Sequence, residues 1–174
     1  MDDGVNIPII PEKDMYFEYD LFERRLDEVF IDCGAYTGSS LRDFLRINGD
    51  AFEKCVCIEP DRKNFARLAD YVSELEERKN KIEIVNAGAY SANVSMHFYE
   101  LHGSGTFAAQ NGPNEMQTVK IDSILQGNKA TYIKMNIEGS EISALNGAKY
   151  TICTYSVLQL WDIIKHMIYG KYRY

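Results

Sequence analysis

Nowhere in this chain does an apolar run approach the length of a membrane span, so a spanning protein is not expected. Clustered lysine and arginine are missing as well. The 19 basic residues are scattered against 26 acidic ones, for a formal net charge of -7. That balance argues against nucleic acid as a partner, because phosphate binding rests on grouped cations. Arg62-Lys63 and Arg78-Lys79 read as solvated helix faces. The four cysteines, Cys33, Cys55, Cys57 and Cys153, make no zinc spacing, and no metal site is expected. Cys55 and Cys57 fall within one apparent strand and should face the same side, as small buried hydrophobes of a reducing compartment. No linker-like run of Pro, Gly or Ser divides the 174 residues, so a single domain over 1–174 is expected. The opening MDDGVNIPIIPEKD is acidic and broken by proline, unlike a secretory leader, and a cytoplasmic location is the expectation.

The stretch that organises the chain is Glu28–Ser40, EVFIDCGAYTGSS. Val29, Phe30 and Ile31 suit a short buried strand that ends on the carboxylate Asp32. Gly34 and Gly38 bracket a turn where the backbone must come close to a bulky group or adopt positive φ. From Ser39 a helical pattern begins with Leu41, Phe44 and Leu45, and Ser39 and Ser40 can cap its amides. Strand, acid, glycine turn and helix describe a nucleotide crevice at the carboxyl edge of a parallel sheet. The middle glycine of a dinucleotide fingerprint is missing, since Tyr36 stands there, and no Gly-Lys-Ser/Thr follows to make a phosphate loop. An acid placed before the turn would repel phosphate and attract an ammonium. S-adenosylmethionine, with an α-amino group, a sulfonium and no phosphate, suits this pattern better than a nicotinamide dinucleotide. An ordinary tight strand-to-helix turn remains the plain alternative.

Taken in order, residues 1–26 form an N-terminal segment in which Tyr16, Phe17, Tyr19, Leu21 and Phe22 could pack on the sheet or close over a substrate as a lid. Lys54–Glu59 reads as a second strand ending on an acid, stopped by Pro60, with Asp61 as the next helix cap. In that helix Phe65, Leu68, Val72 and Leu75 mark a buried stripe. Glu59 is placed where an adenosine ribose offers its hydroxyls, the alternative being an exposed strand-end acid. Lys81–Asn86 is a third strand. The turn Asn86-Ala87-Gly88-Ala89 either lines an adenine pocket or is a plain β-turn. Val94–Leu101 and Met116–Ile121 are strand-like, joined by the glycine-rich connection His102–Asn114. His97 reads as structural and His102 as a candidate base. Thr131–Ile137 is a strong strand running into Glu138-Gly139-Ser140-Glu141 and a helix. Lys134, Asn136 and Glu138 share strand parity and should point together towards whatever fills the crevice, or else Lys134 and Glu138 form a structural pair.

The order VFIDCGAYTG, CIEPD, IVNAGAYS, VKIDSIL and YIKMNIEGSEISALNGA, from about Glu28 to Lys149, resembles the FkbM-type family of S-adenosylmethionine-dependent methyltransferases. The resemblance implies an α/β fold, class I methyltransferase-like (Rossmann-type), with a doubly wound, mostly parallel sheet and a shortened C-terminal part. It implies O-methylation of a hydroxyl on a sugar, polysaccharide or natural-product acceptor. Asp32, Gly34, Ala35, Tyr36, Gly38 and Ser39 would hold the methionine end of the cofactor. Glu59 and Pro60 would meet the ribose, and Asn86, Ala87 and Gly88 the adenine side. Lys134–Glu141 would border the acceptor, with Glu138 or Glu141 as base, Lys134 orienting the acceptor oxygen, and Asn136 where the family usually has Asp. After Ala148 the chain departs from the family. Thr151–Tyr155 is all that remains for a strand. Val157, Leu160, Trp161, Ile164 and Met167 are expected to make an amphipathic helix, and the closing hairpin of the fold is not expected. An unfinished sheet leaves an edge that a second copy could cover. Asn136 and the short tail also leave open a degenerate, non-catalytic cofactor-binding or interaction module.

Overall fold

The computed structural model describes residues 16–17, 25–101, 105–108, 114–153 and 156–160. In chain order these form β1 (Val29–Cys33), α1 (Ser39–Asn48), β2 (Lys54–Ile58), α2 (Arg62–Ser73), β3 (Ile82–Val85), β4 (Gly88–Ala89) and β5 (Ser95–Leu101). There follow β6 (Gly105–Ala108), β7 (Asn114–Val119), α3 (Ile121–Leu125), β8 (Tyr132–Met135), α4 (Glu141–Asn146) and β9 (Val157–Leu160). The main sheet has the order β3-β2-β1-β8-β9, with every neighbouring pair parallel. A second sheet, β4-β7-β5-β6, stands apart from it. The direction of winding reverses between β1 and β8, and a crevice opens at such a switch point.

All five residues of β1 are buried, as expected for a strand covered on both faces. Phe30, Cys55, Cys57 and Tyr132 share one face with Leu41, Phe44, Leu68 and Val72 of α1 and α2. Ile31, Val56, Ile58, Ile133 and Met135 share the other with Ile121, Leu125 and Ala144 of α3 and α4. Helices on both faces of a parallel sheet make the doubly wound arrangement the sequence suggests. Phe30 stacks on Phe44 with ring centroids 4.6 Å apart, and Phe17 of the N-terminal segment packs edge-on against Phe30 at 5.6 Å. Cys55 and Cys57 do face the same side. Asp61 caps α2 by accepting from the amides of Lys63 and Asn64. Among the described residues, no helix is long and apolar enough to cross a membrane.

Several expected boundaries are corrected. Gly38, not a serine, stands at the N-cap of α1 with φ 88°, and no side chain caps that end. Ser39 is exposed in the first turn, and the Ser40 hydroxyl instead donates to the Asp32 carboxylate. The strand expected over Met116–Ile121 is β7, and Ile121 already begins α3. The strand expected through Ile137 ends at Met135, so the parity argument stops short of Asn136 and Glu138. The expected turn at Gly88-Ala89 is β4, paired in parallel with Thr118 and Val119. Val157 and Leu160 lie in β9, beside β8, rather than in a helix. Hydrophobic spacing alone does not separate a four-residue strand from one helical turn. His102, Tyr19, Leu21, Phe22, Tyr155, Trp161, Ile164 and Met167 lie outside the described residues.

Candidate functional site

The carboxyl ends of β1, β2 and β8 meet the second sheet around a cleft of about 150 Å³. Its main-sheet side is formed by Gly34, Glu59, Pro60, Asn136 and Ile137, and its far wall carries Gly88, Met96, Met116 and Thr118. Met96 and Met116 are cross-strand partners of β5 and β7, which is why both reach the same cleft. Gly88 is opposite Thr118, and a Cβ on it would meet the Met116 thioether at 3.2 Å.

Glu59 is the acid that reaches this cleft. It is 5 % exposed, and its carboxylate accepts from the Tyr36 amide at 2.7 Å and the Asp61 amide at 2.9 Å. Burial pushes its pKa above the ordinary glutamate value, while those two amide bonds pull it back. Tyr36 is held at φ 52° to present its amide, and its ring is exposed. Asn86 does not enter the cleft lining. Its side-chain amide donates to the carbonyls of Glu59 and Pro60, bracing the end of β2. Ala87 is buried, and of this trio only Gly88 lines the cleft.

Asp32 does not reach the cleft, which corrects the expectation that it grips a ligand ammonium. It shares a strand face with Phe30 and points under α1, fully buried. Lys134 lies directly beside it in the β1–β8 register, for the same reason of parity, and is 2 % exposed. The Lys134 ammonium donates to Asp32 at 2.8 Å and to the Gly34 carbonyl at 2.8 Å. Burial works against that charge, but the Asp32 carboxylate outweighs it and raises the lysine above its usual value. The ion-pair partner of Lys134 is therefore Asp32, and Lys134 cannot touch an acceptor. Ala35 is fully buried and Gly38 is packed against Leu68 and Tyr71, so the turn contributes to the cleft through Gly34.

Of the expected bases, Glu141 is 1 % exposed and accepts from the Ile137 amide at 3.0 Å, closing the turn before α4. Glu138 is exposed at φ 54° and does not line the cleft. Asn136 does line it. Its amide nitrogen donates to the Tyr16 hydroxyl at 3.3 Å, and among the described residues its buried Oδ1 has no hydrogen-bond partner. The sequence reading missed Tyr90, Met96, Met116 and Thr118 as lining residues, whereas Ile137 and Ser140 fall within the Lys134–Glu141 segment expected to border the acceptor. Met96 and Met116 do alternate at strand spacing, but only the pairing of β5 with β7 brings them together.

A carboxylate fixed at the end of β2, an apolar wall and an unmatched amide oxygen fit an adenosyl ligand without phosphate. The sequence profile of the methyltransferase FkbM domain matches residues 32–168. The chain belongs to the methyltransferase FkbM domain family. Among solved structures, it is similar to methyltransferase FkbM from Methylobacillus flagellatus KT, with 27% identity and a TM-score of 0.69. That match covers 92% of this chain and 41% of that one, so the chain spans less than half the length of this FkbM relative. It is also similar to a Clostridium thermocellum protein named as an rRNA methylase, with 10% identity and a TM-score of 0.51 over 80% of this chain and 62% of that one. At that identity the likeness is one of fold. No curated protein matches this FkbM-domain sequence.

Proposed function

We propose that this chain binds S-adenosylmethionine in the cleft and methylates a hydroxyl of a sugar, polysaccharide or natural-product acceptor. The observation that carries the reading is Glu59, an ionisable acid held by two backbone amides at the end of β2 and facing an apolar wall. A carboxylate there accepts from the ribose hydroxyls of an adenosyl group, and Tyr36 in place of the middle glycine of a dinucleotide fingerprint disfavours a pyrophosphate in the turn. Gly34 would border the methionine end, and Met96, Met116 and Pro60 the apolar part. When bound, S-adenosylmethionine supplies an electrophilic methyl group on a sulfonium. The protein's part is to hold the acceptor oxygen in line, and positioning of this kind is worth roughly 7–11 kcal/mol. Asn136, at the end of β8, is the one expected catalytic residue that lines the cleft. A neutral amide orients an oxygen and does not take its proton, so Asn136 is a positioning group. The acceptor class and the O-methyl specificity rest on the family likeness, and a cytoplasmic location on the free cysteines Cys33, Cys55, Cys57 and Cys153.

Calorimetry with S-adenosylhomocysteine tests the reading. Saturable binding that falls in Glu59→Ala supports it, and absence of binding to either the cofactor or its demethylated product overturns it. Binding without transfer of labelled methyl to any hydroxyl acceptor would favour the non-catalytic module, for which the neutral Asn136 is the specific ground.

A further inference from the structure

We propose that Lys134 is a positioning residue for the ligand site: its ammonium fixes the Gly34 carbonyl and, through the glycine turn, the orientation of Glu59. The inference rests on the adenosyl-binding reading of the cleft. Lys134 is buried beneath the turn and does not itself line the cleft, so its effect must pass through other atoms. Its donated bonds run to Asp32 on β1 and to Gly34 in the turn, with the Cys33 carbonyl at 3.5 Å. The second oxygen of Asp32 accepts from Ser40 at the start of α1. The turn itself carries left-handed backbone at Gly34, Tyr36 and Gly38, with φ of 76°, 52° and 88°. Such a conformation needs outside support at Tyr36, a non-glycine residue.

That support comes from both neighbouring strands. The amides of Gly34 and Ala35 donate to the Ile58 carbonyl at 2.9 and 3.1 Å, tying the turn to β2. The Lys134 ammonium ties the same residue, Gly34, to β8. Two residues on, the Tyr36 amide holds the Glu59 carboxylate at 2.7 Å. Lys134, Gly34, Tyr36 and Glu59 thus form one chain of contacts from under the sheet to the cleft wall. A pair needed only to fill the space between β1 and β8 would be served as well by apolar side chains of similar volume. The bond to the turn carbonyl is the part that apolar replacements would lack.

The test uses the full chain, with S-adenosylhomocysteine as probe in calorimetry and thermal unfolding as the control for folding. D32N/K134M removes both charges together, so that no lone charge stays buried. It is expected to fold with a Tm near that of the wild type and to bind the probe at least tenfold more weakly. D32N alone keeps an Nζ–H donor of Lys134 on the Gly34 carbonyl, charged or neutral, and should bind within threefold of the wild type. Wild-type affinity in D32N/K134M, or equal losses in both variants, would overturn the proposal. Should D32N/K134M fail to fold, the ammonium resonance of Lys134 in the wild-type chain decides. A shift on adding the probe supports the coupling, and an unmoved resonance overturns it. A wild-type chain that binds no probe removes the adenosyl reading itself, an outcome distinct from any difference among variants.

Discussion

Gly34 and Asn136 are in direct backbone contact: a Cβ on Gly34 would stand 2.3 Å from the Asn136 carbonyl oxygen. The end of β1 and the end of β8 therefore meet at the switch point without room for a side chain. Gly34→Ala should cost about 2–4 kcal/mol, combining left-handed backbone with overpacking. Gly139 has a similar backbone, φ 89°, where an added Cβ would meet nothing within 4 Å among the described residues. Gly139→Ala should cost only about 1–2 kcal/mol. Urea midpoints compare the two directly, and equal losses would show that the close approach contributes nothing.

Glu59 makes both stability and binding pH-dependent, in opposite directions. Its folded pKa is raised above the ordinary 4.5, chiefly by burial. The folded chain thus takes up this proton more readily than the unfolded one. The resulting stabilisation is full below the unfolded pKa and lost as pH rises through the folded pKa. Ribose hydroxyls need the ionised acid, so S-adenosylhomocysteine affinity should rise over that same window. Glu59→Gln should flatten both profiles. It also sets an amide N–H against a backbone donor, at a cost of about 1–3 kcal/mol. An affinity with no dependence on mildly acidic pH in the wild type would rule out Glu59 as a ligand.

The sheet was legible because β1 and β2 are apolar on both faces and each is followed by its own turn and helix signals. Asp61 reads as a cap from its place after Pro60, and it is one. The site was less legible for a definite reason. Asp32 and Glu59 both stand at strand ends, but Asp32 pairs with Cys57 inside the β1–β2 ladder, two positions before the level of Glu59, and falls under α1. Glu59 lies just beyond β2, where its carboxylate is free to turn to the cleft. Lys134 reads as a crevice residue until the β1–β8 register sets it beside Asp32. Registers between strands a hundred residues apart are not written in local periodicity. The same holds for the Met96–Met116 pair on the far wall.

Glu141 separates a structural acid from a catalytic one. As the acceptor for the Ile137 amide, it should lose about 1–3 kcal/mol on Glu141→Ala, the cost of an unmatched buried donor. Glu141→Gln keeps a carbonyl acceptor and should lose less than half of that. Neither change should alter S-adenosylhomocysteine affinity beyond threefold. A glutamine variant of normal stability that transfers no methyl would restore Glu141 as the base.

Asn136 carries an unmatched oxygen that the fold alone gives no reason to keep. Among the described residues Oδ1 is buried with no partner, and the bond of the amide to Tyr16 is long at 3.3 Å. Leaving a buried acceptor unsatisfied costs about 1–3 kcal/mol, so an apolar replacement of similar size should hold or raise stability. Asn136→Leu is therefore expected to unfold at the wild-type temperature or a few degrees above it. If the amide is retained to orient a ligand, the same variant should lose methyl transfer, or the thermal shift given by S-adenosylhomocysteine, despite its sound fold. Stability bought with lost function is the pattern expected of a binding-site polar group. A variant that loses stability while keeping its ligand response would mark Asn136 as a structural residue and leave the acceptor side of the cleft without a polar guide.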